Sequence, residues 1–217
     1  MPGPPTQGDL VETLRDDGIE DEQVLVAFGD VPRAGFVPAA AVDRAYYDVP
    51  IPLSRGQVTS RPSLIARTLA ALSLTGSERV LEVGAGFGFQ SALLSRLSSA
   101  VFAVEWWPEL ADRARENLER HGAANVRVVV GDGSLGLPTA APFGAVVVAA
   151  AFPQVPPPLE KQLAVGGRLV QPIGPATLFQ ERDELTLFVK TGHGLVRRRR
   201  LVRTGFTRLV GRHGFPP

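Results

Sequence analysis

Three glycines at alternate positions, Gly84, Gly86 and Gly88, lie in "RVLEVGAGFGFQSALLSRL", between a run that reads as a strand and one with helical spacing. Such a turn lets backbone amides approach a ligand with no side chain in the way. Its G-x-G-x-G spacing differs from the dinucleotide pattern, and Phe89, Gln90 and Ser91 follow where a phosphate loop needs Gly-Lys-Ser/Thr, so no lysine meets a phosphate. Glu82 sits inside "LEVGAGFG" and Glu105 ends the next strand in "VFAVEWW". A carboxylate at Glu105 is placed to accept hydrogen bonds from two ribose hydroxyls. One at Glu82 faces the glycine turn and favours a cationic ligand by Coulomb attraction. Asp132, in "VVVGDGS", ends a third strand beside the same crevice, where it and the amide of Gly133 are expected to read an adenine edge. Trp106 has two readings: a ring laid on the adenine face, or a packing pair with Trp107 at the sheet edge. A ribose-bearing cation without phosphates fits S-adenosylmethionine, with S-adenosylhomocysteine as the product of methyl transfer.

The elements that must hold these residues alternate through the middle of the chain. A helix in "SLIARTLAALSL" precedes the strand "RVLEVG" and the helix "FQSALLSRL". Then come the strand "AVFAVEW", the helix "PELADRARENLERHG" and the strands "VRVVVGDG" and "GAVVVAAA", followed by a short helix in "PPLEKQLAVGG" and the strand "RLVQPIG". Several strands are apolar on both faces, which predicts an α/β, doubly wound, mostly parallel sheet, Rossmann-like, with helices on either side. "DELTLFVKTG" and "GLVRRRRLVRTGF" are expected to add an antiparallel edge hairpin through "TGHG". Upstream, "DLVETLRDDGIEDEQVLVAFGDVP" reads as two short helices broken at Gly18 and stopped before Pro32. The Pro- and Gly-rich stretch after it is too long for an idle connector, and ordered loops of that kind border sites. The chain therefore divides into a helical and loop cap on the substrate side, residues 1–62, and a cofactor-binding domain with its C-terminal hairpin, residues 63–217.

The chain has 217 residues, no cysteine and a formal net charge of +1. It has no thiolate metal site or cysteine nucleophile, and no metal is expected. No run approaches the roughly 18 apolar residues of a membrane helix, and the start lacks the basic and apolar regions of a signal peptide. A cytoplasmic, monomeric protein with no membrane or nucleic-acid partner is the expectation. The run Arg197–Arg200 reads as a charged edge strand rather than a phosphate patch, since no aromatic residue is interleaved with it. His121, His193 and His213 all fall in turns and read as solvated.

Cytosine-5 methylation needs a cysteine, and the Asn/Asp-Pro-Pro-aromatic turn of many amino-nitrogen methyltransferases is missing from "VVVAAAFPQVPPPL". Over nearly its whole length the chain resembles the protein-L-isoaspartate (D-aspartate) O-methyltransferase family. The resemblance rests on "DDGIEDEQVLVAFGDVPRAGFVP", "AYYDVPIPLSRGQVTSRP", "LEVGAGFGFQSALL", "NVRVVVGDG", "APFGAVVVAAAFPQVPPPLEKQLAVGGRLVQPIG" and "LVGRHGF". It implies that Ser60 occupies the active-site serine position. Thr59 and Ala85 are expected with the cofactor, and Val58, Arg61, Phe206 and Arg208 with the acceptor, where Arg61 or Arg208, both departures from the family pattern, is able to select a particular acidic acceptor. The acceptor it implies is the free carboxylate of an L-isoaspartyl or D-aspartyl residue in a damaged protein or peptide, bound as an extended strand. The methyl ester then returns through a succinimide.

The chain departs from the family pattern at Val58 and Thr59, at Arg61, across Thr204–Leu209, and at Gly144 and Ala149. These departures keep open an alternative on the same scaffold, a carboxyl O-methyltransferase with one dedicated peptide or small-molecule acceptor. A third reading is a cofactor-holding sensor without turnover.

Overall fold

A computed structural model describes residues 3–175 and 183–216. Met1, Pro2, residues 176–182 and Pro217, within the two predicted domains, lie outside the described residues. Strands β3 (Arg79–Val83), β4 (Ala100–Glu105), β5 (Val126–Val130), β6 (Phe143–Val148), β7 (Leu163–Ile173), β8 (Asp183–Thr191) and β9 (Gly194–Thr204) form one sheet in the order β5-β4-β3-β6-β7-β8-β9. The first five run parallel, and β7, β8 and β9 are joined antiparallel. Strand order reverses at β3, whose neighbours are β4 and β6. Ligands of open α/β sheets bind at such a switch point, beyond the carboxyl ends of the strands.

The apolar strands are central because they are covered twice. Val80, Val101, Ala103, Ala145 and Val147 face one apolar cluster, while Leu81, Val83, Val104, Val146 and Val148 face the other. Helices α3 (Pro62–Leu72) and α4 (Phe89–Leu97) build the first cluster, and α5 (Pro108–Arg120) adds Ala114 and Leu118. The upstream helices α1 (Gln7–Asp16) and α2 (Glu22–Asp30) end on either side of Gly18, as their spacing predicts. Thr6 and Asp9 form a capping box on α1, and Asp21 caps α2. Their Leu10, Leu14, Val24 and Phe28 enter the first cluster beside Leu69, Phe89 and Leu93.

Two expectations need correction. The short helix α6 spans only Pro157–Gln162, and β7 begins at Leu163, inside the segment read as helix. Leu163 pairs with Phe143 across an irregularity in register, and this tertiary pairing overrides the local helical pattern. His121 lies in a turn, as expected, but is partly buried rather than fully solvated. Its ring packs 4.9 Å from that of Phe36, and an added Cβ at Gly35 would lie 2.1 Å from its Nε2. Burial is the main reason its pKa falls below the usual histidine value. The edge hairpin forms as expected, turning at Gly192 and His193 between the paired Thr191 and Gly194. Among the described residues no helix is long and apolar enough to cross a membrane.

Candidate active site

Gly84, Gly86 and Gly88 have φ of 92°, 55° and 90°, so each occupies the left-handed region that disfavours a side chain. Gly88 has a second constraint, because an added Cβ would lie 3.2 Å from Leu118 Cγ and 3.4 Å from Ala114 Cα. It serves the packing of α4 on α5 and does not line the cavity that opens beside the turn. Gly84, Ala85 and Gly86 do line that cavity, which holds about 300 Å³.

Glu105 closes the turn from the end of β4. Its Oε2 accepts from the Gly86 amide at 2.9 Å and its Oε1 from the Trp107 amide at 3.0 Å. Burial raises its pKa and these amides oppose the rise. Each carboxylate oxygen retains a further lone pair, so the group can shape the turn and still accept from a ligand. Trp106 and Trp107 both line the cavity. The guanidinium carbon of Arg55 lies 5.2 Å from the Trp107 ring centroid, and Arg55 also pairs with Glu109.

Glu82 differs from its expected form. It is fully buried, its Oε1 accepts from Gln90 Nε2 at 2.9 Å, and its Oε2 accepts from Ser91 Oγ. The first turn of α4 therefore holds the carboxyl, and burial pushes its pKa to about 7. Gln90 and Ser91, two residues that sequence reasoning passed over, keep this acid tolerable inside the sheet. Because its folded pKa lies above the unfolded value, the native state keeps a proton that the unfolded chain gives up. This contribution is complete below about pH 4.5 and is lost as pH rises towards 7. Across that window the cofactor-free protein should lose about 3 kcal/mol relative to Glu82→Gln. Urea unfolding of both proteins between pH 4 and 8 checks this, and parallel stability curves would refute it.

The other wall is held by Arg33, which sequence reasoning missed. Its side chain is completely buried, yet it reaches five acceptors: Nη1 donates to the carbonyls of Ala45 and Tyr47 at 3.0 and 3.1 Å. Nη2 donates to the carbonyls of Val49 and Ser60 at 3.0 and 3.1 Å and to Thr59 Oγ1 at 3.4 Å. Desolvation lowers its pKa to about 10, so it remains charged at neutral pH. One guanidinium thus ties down the loop that ends in Val58, Thr59, Ser60 and Arg61, all of which line the cavity. Asp48, in the same loop, accepts from the Ser63 amide and hydroxyl, each at 2.7 Å, and so fixes the start of α3. The only hint in the sequence was an arginine set among apolar residues and prolines in "VPRAGFVP". Ser60 is half-buried, and its hydroxyl makes no hydrogen bond to the described residues.

The turn joining β1 (Ile51–Pro52) to β2 (Val58–Thr59) leans over the glycine loop. A Cβ on Gly86 would sit 3.4 Å from Leu53 Cδ1. On the opposite side, the segment after β9 runs along the end of β6. The Ala151 amide donates to Thr207 O at 2.7 Å, and the Leu209 amide donates to Ala151 O at 3.0 Å. Phe206 and Arg208 of this segment line the cavity, but Arg208 is ion-paired at 2.9 Å with the fully buried Asp183. Asp183 also accepts from the Phe206 amide at 3.0 Å.

Asp132 lies off this cavity. Its Oδ1 accepts from the Ser134 amide and hydroxyl at 2.9 and 2.6 Å, and its Oδ2 accepts from the Arg212 amide at 2.7 Å. The acid expected to read an adenine edge ties the C-terminal segment to the loop after β5. Gly133 does line the cavity, and an added Cβ there would meet Val83 Cγ1 at 2.4 Å.

The switch-point cavity, the three left-handed glycines and the carboxylate at the end of β4 define an S-adenosylmethionine-dependent methyltransferase of the Rossmann-like class. The sequence profile of protein-L-isoaspartate (D-aspartate) O-methyltransferase matches residues 6–214. The chain belongs to that family. It is 48% identical over 211 residues to a protein-L-isoaspartate O-methyltransferase of Aeropyrum pernix, covering 95% of this chain and 80% of the relative. A namesake from Methanoculleus marisnigri is 45% identical, with 93% and 90% covered. A solved protein-L-isoaspartate O-methyltransferase superposes with a TM-score of 0.86 at 29% identity, covering 96% of this chain and 67% of that one. The same fold is seen in a Plasmodium falciparum protein, solved with S-adenosyl-L-homocysteine and described as a putative member of this family. It is 22% identical with a TM-score of 0.80, and 95% of this chain and 99% of that one are covered.

Proposed function

We propose that this chain methylates the free carboxylate of L-isoaspartyl and D-aspartyl residues in damaged proteins or peptides, initiating their repair through a succinimide. When bound, S-adenosylmethionine supplies a methyl group on a cationic sulfur and is left as S-adenosylhomocysteine. Gly84, Ala85 and Gly86 would hold it along the backbone, Glu105 at its ribose, and Trp106, Gly133 and Thr59 around it. The observation that carries the reading is the Arg33-clamped loop, which brings the unengaged hydroxyl of Ser60 to the same cavity as this turn.

A carboxylate is already ionised at neutral pH, so its methylation needs no general base. What the protein must supply is orientation and the exclusion of water. The Ser60 hydroxyl can donate to the acceptor without neutralising it. Val58 and Phe206 line the acceptor's path, and the cap of residues 1–62 forms the substrate-side wall of the domain of residues 63–217. The enzyme is read as a cytoplasmic monomer without a nucleic-acid or membrane partner, in keeping with its net charge of +1.

Labelled S-adenosylmethionine offered with an isoaspartyl peptide and its aspartyl twin tests the reading. Only the isoaspartyl peptide should be labelled. Equal labelling, or labelling of neither while cofactor binds, would move the assignment to a dedicated acceptor or a sensor. Ser60→Ala should lower kcat/KM roughly tenfold, the loss of one hydrogen bond to a charged group. Its affinity for S-adenosylhomocysteine, read by calorimetry, should stay within about twofold of wild type; the reverse pattern would show that Ser60 serves the cofactor.

A further inference from the structure

Four ionisable groups line the cavity, acids on one side and guanidiniums on the other. The two acids, Glu82 and Glu105, come from the carboxyl ends of β3 and β4. The two guanidiniums come from outside those strands: Arg61 from the residue before α3, and Arg208 from the segment after β9. Arg208 has its counter-ion in Asp183. Arg61 has none among the described residues. Its Nε is buried without an acceptor, as Arg33 Nε is behind the wall, and its side chain makes no capping bond to α3 and no ion pair with Asp48, whose oxygens hold Ser63.

A buried guanidinium N–H left unpaired costs about 1–3 kcal/mol and more when the group is charged. Folded proteins keep such a group where something else completes it. Arg61 directly follows Ser60, so whatever completes it arrives with the acceptor segment. We infer that Arg61 is a specificity-determining residue that pairs with an acidic side chain flanking the isoaspartyl residue, selecting damaged segments that carry Asp or Glu beside the site. The partner is a neighbouring carboxylate rather than the accepting one. A guanidinium on the accepting carboxylate would withdraw the electron density that attacks the methyl group, whereas one on its neighbour anchors the peptide without touching the reaction.

The inference rests on the isoaspartyl reading, and one peptide series separates the two. Isoaspartyl peptides carrying Glu, Gln or Lys on either side of the isoaspartyl residue are compared by kcat and KM. The wild-type enzyme should favour the Glu peptide over the Gln peptide roughly tenfold in kcat/KM, the size of one partly desolvated charge-assisted pair. The preference should lie in KM and shrink as salt is raised. Arg61→Gln should abolish the Glu-over-Gln ratio, and Arg61→Glu should turn it towards Lys. Binding of S-adenosylhomocysteine certifies that both variants are folded. Equal use of the Glu and Gln peptides by the wild type overturns the inference while leaving the isoaspartyl reading intact, as does a preference that survives in Arg61→Gln. Turnover of no isoaspartyl peptide overturns both.

Discussion

Arg33→Leu should lower kcat/KM for an isoaspartyl peptide by about a hundredfold or more, although Arg33 lies behind the wall of the cavity. Misplacing a positioned group by about 1 Å is enough for an effect of that order. Removing the guanidinium leaves the carbonyls of Ala45 and Val49 without a donor among the described residues, while those of Tyr47 and Ser60 keep the Val49 amide and the Thr59 hydroxyl. At about 1 kcal/mol or more for each of these two carbonyls, the variant should also be destabilised by about 2 kcal/mol or more. Arg33→Lys should rescue little, since one ammonium has three donors and no planar fork to reach acceptors spread over residues 45–60. Peptide kinetics with urea unfolding provide the check. Wild-type turnover in Arg33→Leu would mean that the loop holds its shape unaided.

Glu105→Ala should weaken binding of S-adenosylhomocysteine by about a hundredfold or more, the size of two lost charge-assisted hydrogen bonds. The carboxylate also organises the turn it faces, because the Gly86 and Trp107 amides both donate to it. Alanine therefore removes the proposed ribose contact and frees the loop that should cradle the rest of the cofactor. Glu105→Gln keeps an acceptor for one of those amides and should lose less. Calorimetric titration of the three proteins orders them, and an unchanged affinity in Glu105→Ala would place the ribose elsewhere.

These two residues mark what the sequence could and could not reveal. Glu105 was readable because its position follows from local pattern: an apolar strand, its terminal acid and the order of neighbouring strands. The glycine turn, the buried strands and the hairpin were readable for the same reason. Arg33 was not, because its acceptors lie 12 to 27 residues downstream in backbone that has no periodicity. Asp132 was read from its place at a strand end, and that place is correct. Its oxygens are taken by Ser134 and by Arg212, 80 residues away, which no local pattern reports. Glu82 was placed correctly but read as an open anion, and only the fold shows that α4 covers it.

Strand β9 forms one border of the sheet, with Arg197 to Arg200 exposed along it. Glu184 on β8 gathers Arg197, Arg200 and Arg203, at 3.5, 3.2 and 2.8 Å, and so neutralises only part of that charge. Unfolded, extended polypeptide is the material that a bare β border recruits, and it is also what a repair enzyme must encounter in quantity. Laying a further strand along that border would strip water from these guanidiniums, a cost that keeps extended chains off it and leaves the cleft as the place where they are captured.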